Sequence, residues 1–126
     1  MPKLMSSAGA MQGSGHVGGP GPAAALQQYE CGDAWVIAAH GSYDIHSIPP
    51  LAEALNAAVR DHAKVVLDAS GVDFADSSFL NLLIRAHRTG TVRVAAPPRQ
   101  LQRLFVITGT DAVLDIRETV NDAALS

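Results

Sequence analysis

Residues 64–95 read KVVLDASGVDFADSSFLNLLIRAHRTGTVRVA, and their pattern changes period twice. Lys64 to Ala69, KVVLDA, is a short continuous apolar run of the kind that fills a strand buried on both faces. Val92 to Ala95, VRVA, is a second. Between them the stretch from Ser77 to Arg88 repeats at helical spacing. Strand, helix and strand in that order predict a βαβ unit and a sheet with parallel members.

Both ends of this helix carry boundary chemistry. Asp76 precedes Ser77-Ser78, and an Asp at that position accepts hydrogen bonds from the free N–H groups of a first turn. Gly90 closes the other end. At 100° per residue Ser77, Asn81, Arg85 and Arg88 fall on one polar stripe, while Phe79, Leu80, Leu82 and Leu83 spread over the remaining circumference. The pattern is that of a mostly buried helix with one exposed strip. Ser77 heads the strip, where unpaired N–H groups and the positive end of the helix dipole favour an anion, although Asp76 opposes added negative charge. From the residues alone, Ser77 and Ser78 read first as ordinary helix-start serines, since Ser is common at such positions.

Outward from this unit the elements continue. Leu26 to Glu30 and Trp35 to His40 are strand-like and flank the turn residues Cys31-Gly32-Asp33, which predicts a β-hairpin. Ser47 ahead of Ile48-Pro49-Pro50, with Leu51, Leu55 and Val59 four residues apart, predicts a helix capped by Ser47. Gln100 to Thr108 repeats Leu101, Leu104, Phe105 and Ile107 before the terminator Gly109. An extended piece around Val113 to Ile116 and one or two helical turns from Glu118 complete the chain. Residues 1–24 are rich in Gly, Pro, Ser and Ala without either period, and are expected to be a disordered tail ahead of one domain at 25–126.

Composition narrows the function. The chain has 126 residues, a net charge of −3 and 48% hydrophobic but only 5% aromatic residues, so its core is aliphatic. An acidic total argues against direct nucleic-acid binding. The single Cys31 permits no internal disulfide and no cysteine zinc site. No signal peptide or membrane span is readable, so a cytoplasmic protein without membrane contact is expected. The string Gly13-Ser14-Gly15-His16-Val17-Gly18 fits GxGxxG formally but follows no strand. The histidines lack metal-ligand spacing, and Ser77 lacks the G-x-S-x-G elbow of a hydrolase. No catalytic residue, metal or cofactor is expected.

The run VVLDASGVDFADSSFLNLLIRAH resembles the signature of STAS domains, in particular the bacterial anti-sigma factor antagonists, also called anti-anti-sigma factors. In these a strand ending in Asp-x-Ser-Gly-Val leads through an aromatic residue to Asp-Ser-Ser/Thr-Gly-Leu and a helix. His40-Gly41-Ser42-Tyr43-Asp44 is similar to the family's Gly-Glu-Leu-Asp element, and LQRLFVITGTDAVLDI to its third helix and Thr-Gly ending. The resemblance implies an α/β fold with a mixed sheet of four to five strands and about four helices packed mainly on one face.

It further implies a non-enzymatic phosphoprotein of transcription regulation. The unphosphorylated form would bind an anti-sigma factor that is itself a serine kinase and thereby release a sigma factor. Phosphorylation of Ser77 would break that complex. By the same correspondence Asp76, Ser78 and Asp44 flank the site, and Phe79, Asn81, Ile84 and Arg85 meet the partner. Phe79 stands where the family pattern has glycine, and Ser42-Tyr43 where it has Glu-Leu. The alternative is a structural STAS subunit of a stressosome-like or transporter-associated assembly with no sigma-factor role. The sequence leaves the oligomeric state unassigned.

Overall fold

The computed structural model describes residues 23–125. The expected tail, apart from its last two residues, and the Gly13–Gly18 string therefore lie outside the described residues. Strand β1 (Ala25–Cys31) turns at Gly32-Asp33 into β2 (Ala34–Tyr43) as the expected hairpin. Helix α1 (Ile48–Asp61), strand β3 (Val65–Ala75), helix α2 (Ser77–Thr89) and strand β4 (Val92–Ala95) follow. Helix α3 (Arg99–Thr108), a 3-10 turn at Thr110–Ala112, strand β5 (Asp115–Arg117) and helix α4 (Val120–Leu125) end the chain.

The five strands lie in the order β1-β2-β3-β4-β5, with the first pair antiparallel and the rest parallel. Ile37, Ala39, Val65, Leu67, Val92 and Val94 point to one face, as the period of two requires. There they pack with Leu51 and Leu55 of α1, Leu80 and Leu83 of α2, and Leu101 and Phe105 of α3. Each such side chain contributes roughly 1.5–3 kcal/mol by leaving water. The alternate residues Ala34, Val36, Val66 and Ala95 pack with Ala123 and Ala124 of α4 on the opposite face. Lys64 Nζ donates to the Ala124 carbonyl at 2.8 Å and Arg93 Nη1 to that of Ala123 at 2.9 Å. Two cations thus hold the last carbonyls of this short helix, where the dipole is negative.

Several local expectations give way to tertiary contacts. β3 does not stop at Ala69: it runs through Ser70-Gly71 to Ala75 because β2 also continues, and their pairing absorbs two register shifts before Tyr43 meets Ala75. Ser47 occupies the N-cap position of α1 without capping it, because its hydroxyl oxygen instead accepts from the Asp44 amide at 2.9 Å. Gly90 ends α2 in extended backbone (φ −168°) instead of a left-handed turn, and a Cβ there would lie 2.5 Å from Val59 Cγ1. Close approach of α1 and α2 is what excludes a larger residue. Gly109 is the left-handed cap of α3, at φ +78°. Ile107, although in the apolar repeat, is 74% exposed, because the core side of α3 is set by Leu101 and Phe105.

Candidate functional site

The C-terminal ends of β2 and β3 are tied together where α2 begins. The Asp76 amide donates to the Tyr43 carbonyl at 3.3 Å, which brings the Asp44 turn and the first turn of α2 to one end of the sheet. Asp76 caps α2: its Oδ1 accepts from the Ser78 amide at 2.8 Å, and its carbonyl accepts from the amides of Phe79 and Leu80. Asp76→Ala is expected to cost about 1 kcal/mol of stability through the lost cap. A shift of the urea midpoint without a change of slope would measure it.

Ser77 follows as the first helical residue. It is exposed, and its hydroxyl has no protein partner among the described residues. Ser78 is half-buried. Asp44 lies on the neighbouring loop and is committed to that loop. Its Oδ1 accepts from the amides of Ser47 (3.0 Å) and His46 (2.9 Å) and from the Ser47 hydroxyl. The Ser47 amide first, and the His46 amide after it, hold the Asp44 carboxyl below the usual carboxylate range, so it stays ionised. The site therefore carries fixed negative charge from Asp76 and Asp44 before any modification.

Along the outer strip of α2, Asn81 and Arg85 are exposed and Ile84 is half-buried. Phe79 is different. Its ring is 0% exposed and meets Tyr43 at 5.9 Å between centroids with the planes tilted by 42°. The expectation that Phe79 touches a partner is therefore corrected: the ring turns under the helix into the core. The reason is the sheet beneath, where Tyr43 and Phe79 fill the space between α2 and the end of β2. Tyr43 is itself fixed by donating from its hydroxyl to the Ala25 carbonyl at 2.9 Å.

Two apolar side chains that sequence reasoning did not select are exposed at this end, Ile45 (67%) and Phe74 (54%). Phe74 lies on the lip of a groove of about 190 Å³ between residues 72–75 and Gln100, Leu101 and Leu104 of α3. Gln100 Nε2 donates to the Asp73 carbonyl at 3.2 Å and closes one side of it. Among the described residues no cluster of His, Cys, Asp and Glu could hold a metal ion, and no helix is long and apolar enough to cross a membrane.

Comparison with known proteins supplies the family. A family model described as Mlab, STAS domain matches residues 27–117. An anti-sigma factor antagonist from Mycobacterium paratuberculosis has a similar structure, with a TM-score of 0.75 and 24% identity over 82% of this chain and 92% of that one. The anti-sigma-factor antagonist (STAS) domain protein of Planctomyces limnophilus superposes with a TM-score of 0.67 at 22% identity, covering 79% and 95%. The Bacillus cell fate determinant SpoIIAA in its phosphorylated form gives 0.60 at 19% identity, covering 79% and 96%. A search of curated proteins found no match. With a mixed five-stranded sheet, four helices and the family match over most of its length, the chain belongs to the STAS domain family.

Proposed function

We propose that this protein is an anti-sigma factor antagonist, acting in the bacterial cytoplasm through its domain at 25–126. It binds an anti-sigma factor that is a serine kinase, frees the sigma factor, and is released when Ser77 is phosphorylated. One observation carries the reading: Ser77 is exposed at the first residue of α2, and its hydroxyl has no partner among the described residues. A kinase can reach it without unfolding the helix. STAS membership and antagonists among the structural neighbours support the partner class, and a neighbour solved in phosphorylated form supports the switch.

The electrostatics give the switch its direction. A phosphate adds about −1.5 to −2 charges on the element that follows Asp76 and near the Asp44 turn, and each of these carboxylates already has one oxygen, Oδ1, engaged by nearby amides. The new charge has to be met by the helix N-terminus or by the partner, and a partner surface fitted to a neutral hydroxyl meets it with repulsion and desolvation cost. Ser78 and Asp44 flank the acceptor, and Asn81, Ile84 and Arg85 continue the contact along α2. The role is binding, with no chemistry performed by the chain itself.

Incubating the protein with the anti-sigma factor kinases of its own genome and ATP tests this reading. Intact-mass and peptide mapping are expected to show one phosphate on Ser77 and none in Ser77→Ala. Phosphate retained in Ser77→Ala would remove the site assignment. Absence of binding to every anti-sigma factor would point instead to a structural STAS subunit of an assembly.

A further inference from the structure

Eight of the nine Lys and Arg residues lie among the described ones. Arg60, Lys64, Arg93 and Arg117 each pair with a carboxylate within 4.0 Å. The other four, Arg85, Arg88, Arg99 and Arg103, are exposed and have no ion pair among the described residues. All four belong to α2 and α3, two helices packed on the same face of the sheet. In a chain of net charge −3, the uncompensated positive charge is thus concentrated on one layer.

The apolar groove beside Phe74 opens into the same layer. One wall is residues 72–75, immediately before Ser77, and the other is the first turns of α3, whose Arg99 and Arg103 stand in sequence on either side of the lining residues Gln100 and Leu101. Its volume of about 190 Å³ suits a single aliphatic or aromatic side chain. A pocket for one apolar anchor, with one wall on a helix that also carries unpaired exposed arginines, suits an amphipathic segment carrying carboxylates near a large apolar residue.

We infer that the α2–α3 layer docks an acidic segment of the anti-sigma factor, with one apolar side chain seated in the groove beside Phe74 and its carboxylates on Arg99, Arg103, Arg85 and Arg88. This rests on the antagonist reading and specifies the partner's chemistry. It also explains the sign of the switch, because an acidic segment is the kind of occupant that negative charge on Ser77 repels. Asp73, in β3, is the one exposed carboxylate among the groove residues. A nucleic acid or anionic lipid surface would use the arginines but leave the apolar pocket unfilled.

The test titrates the panel of anti-sigma factors from the same genome with wild type, R99E/R103E and F74A at low and high salt. Circular dichroism serves as the folding control, since all three side chains are exposed. A partner bound by wild type is expected to lose about tenfold or more in affinity to R99E/R103E, together with most of its salt dependence. F74A is expected to weaken binding at both salt concentrations alike. Unchanged binding by R99E/R103E overturns the inference alone and leaves the antagonist reading standing. No binding by wild type overturns the antagonist reading and the inference with it. Wild-type binding to phosphatidylglycerol vesicles that is lost in R99E/R103E but unaffected by F74A overturns the protein identity of the occupant.

Discussion

Phe79→Ala is expected to destabilise the fold by about 3–5 kcal/mol, the range for removing a fully buried aromatic ring. The ring is 0% exposed, belongs to the main core cluster and packs against Tyr43, which is also buried. Deleting it leaves a cavity that α2 cannot collapse into without moving the capped turn at Asp76. Against a typical domain stability of about 5–15 kcal/mol, this loss is large enough to unfold part of the population at 37 °C. Urea denaturation measures it: the midpoint is expected to fall sharply with the slope unchanged. A loss below about 1 kcal/mol would mean that the ring is not in the core. Phe79→Leu keeps most of the volume and is expected to cost clearly less.

Ser77→Asp is expected to do the opposite, leaving the fold intact and removing partner binding. The side chain is exposed and makes no hydrogen bond among the described residues, so nothing is broken by replacing it. A carboxylate at the first helical position gains about 0.3–1 kcal/mol from the helix dipole, partly offset by repulsion from Asp76. The net change in thermal midpoint is therefore small. Binding is another matter, since like charges brought together in an interface cost several kcal/mol, which amounts to at least a hundredfold in affinity. Calorimetric titration of the anti-sigma factor reads this directly. Loss of folding in Ser77→Asp would make Ser77 a structural residue instead.

The two variants lie two positions apart, and the contrast between them shows what could be read in the chain. The boundaries of α2 were legible because capping is local: Asp76 and the serines after it specify the start, and the expected helix from Ser77 to Arg88 differs from the observed one by a single residue. The strand Val92–Ala95 was legible for the same reason, as an apolar run between punctuating residues. The exposed strip of Ser77, Asn81, Arg85 and Arg88 followed from helical periodicity.

What was not legible depended on neighbours. The motif comparison set Phe79 at the partner surface, whereas its inward direction is decided by the sheet and by Tyr43, thirty-six residues earlier. The apolar run that marks β3 ends at Ala69, yet the strand passes on through Ser70-Gly71 because β2 supplies bulged pairing alongside. Ser47 has cap chemistry, but the Asp44 amide competes for its hydroxyl oxygen. Phe74 was visible only as the family's aromatic position. Its exposure and its groove come from the first turns of α3, about twenty-five residues further on. Whether an arginine is paired is a tertiary property as well, so the unpaired set on α2 and α3 emerges only from the folded chain.

The switch at Ser77 is the central claim, and one measurement addresses it most directly. The affinity of the anti-sigma factor kinase is determined for the wild-type protein before and after that kinase has phosphorylated it to completion. The expected result is tight binding of the unmodified protein and loss of at least a hundredfold in affinity on adding one phosphate at Ser77, with recovery after phosphatase treatment. Equal affinity of the two forms, with the phosphate verified on Ser77, would contradict it.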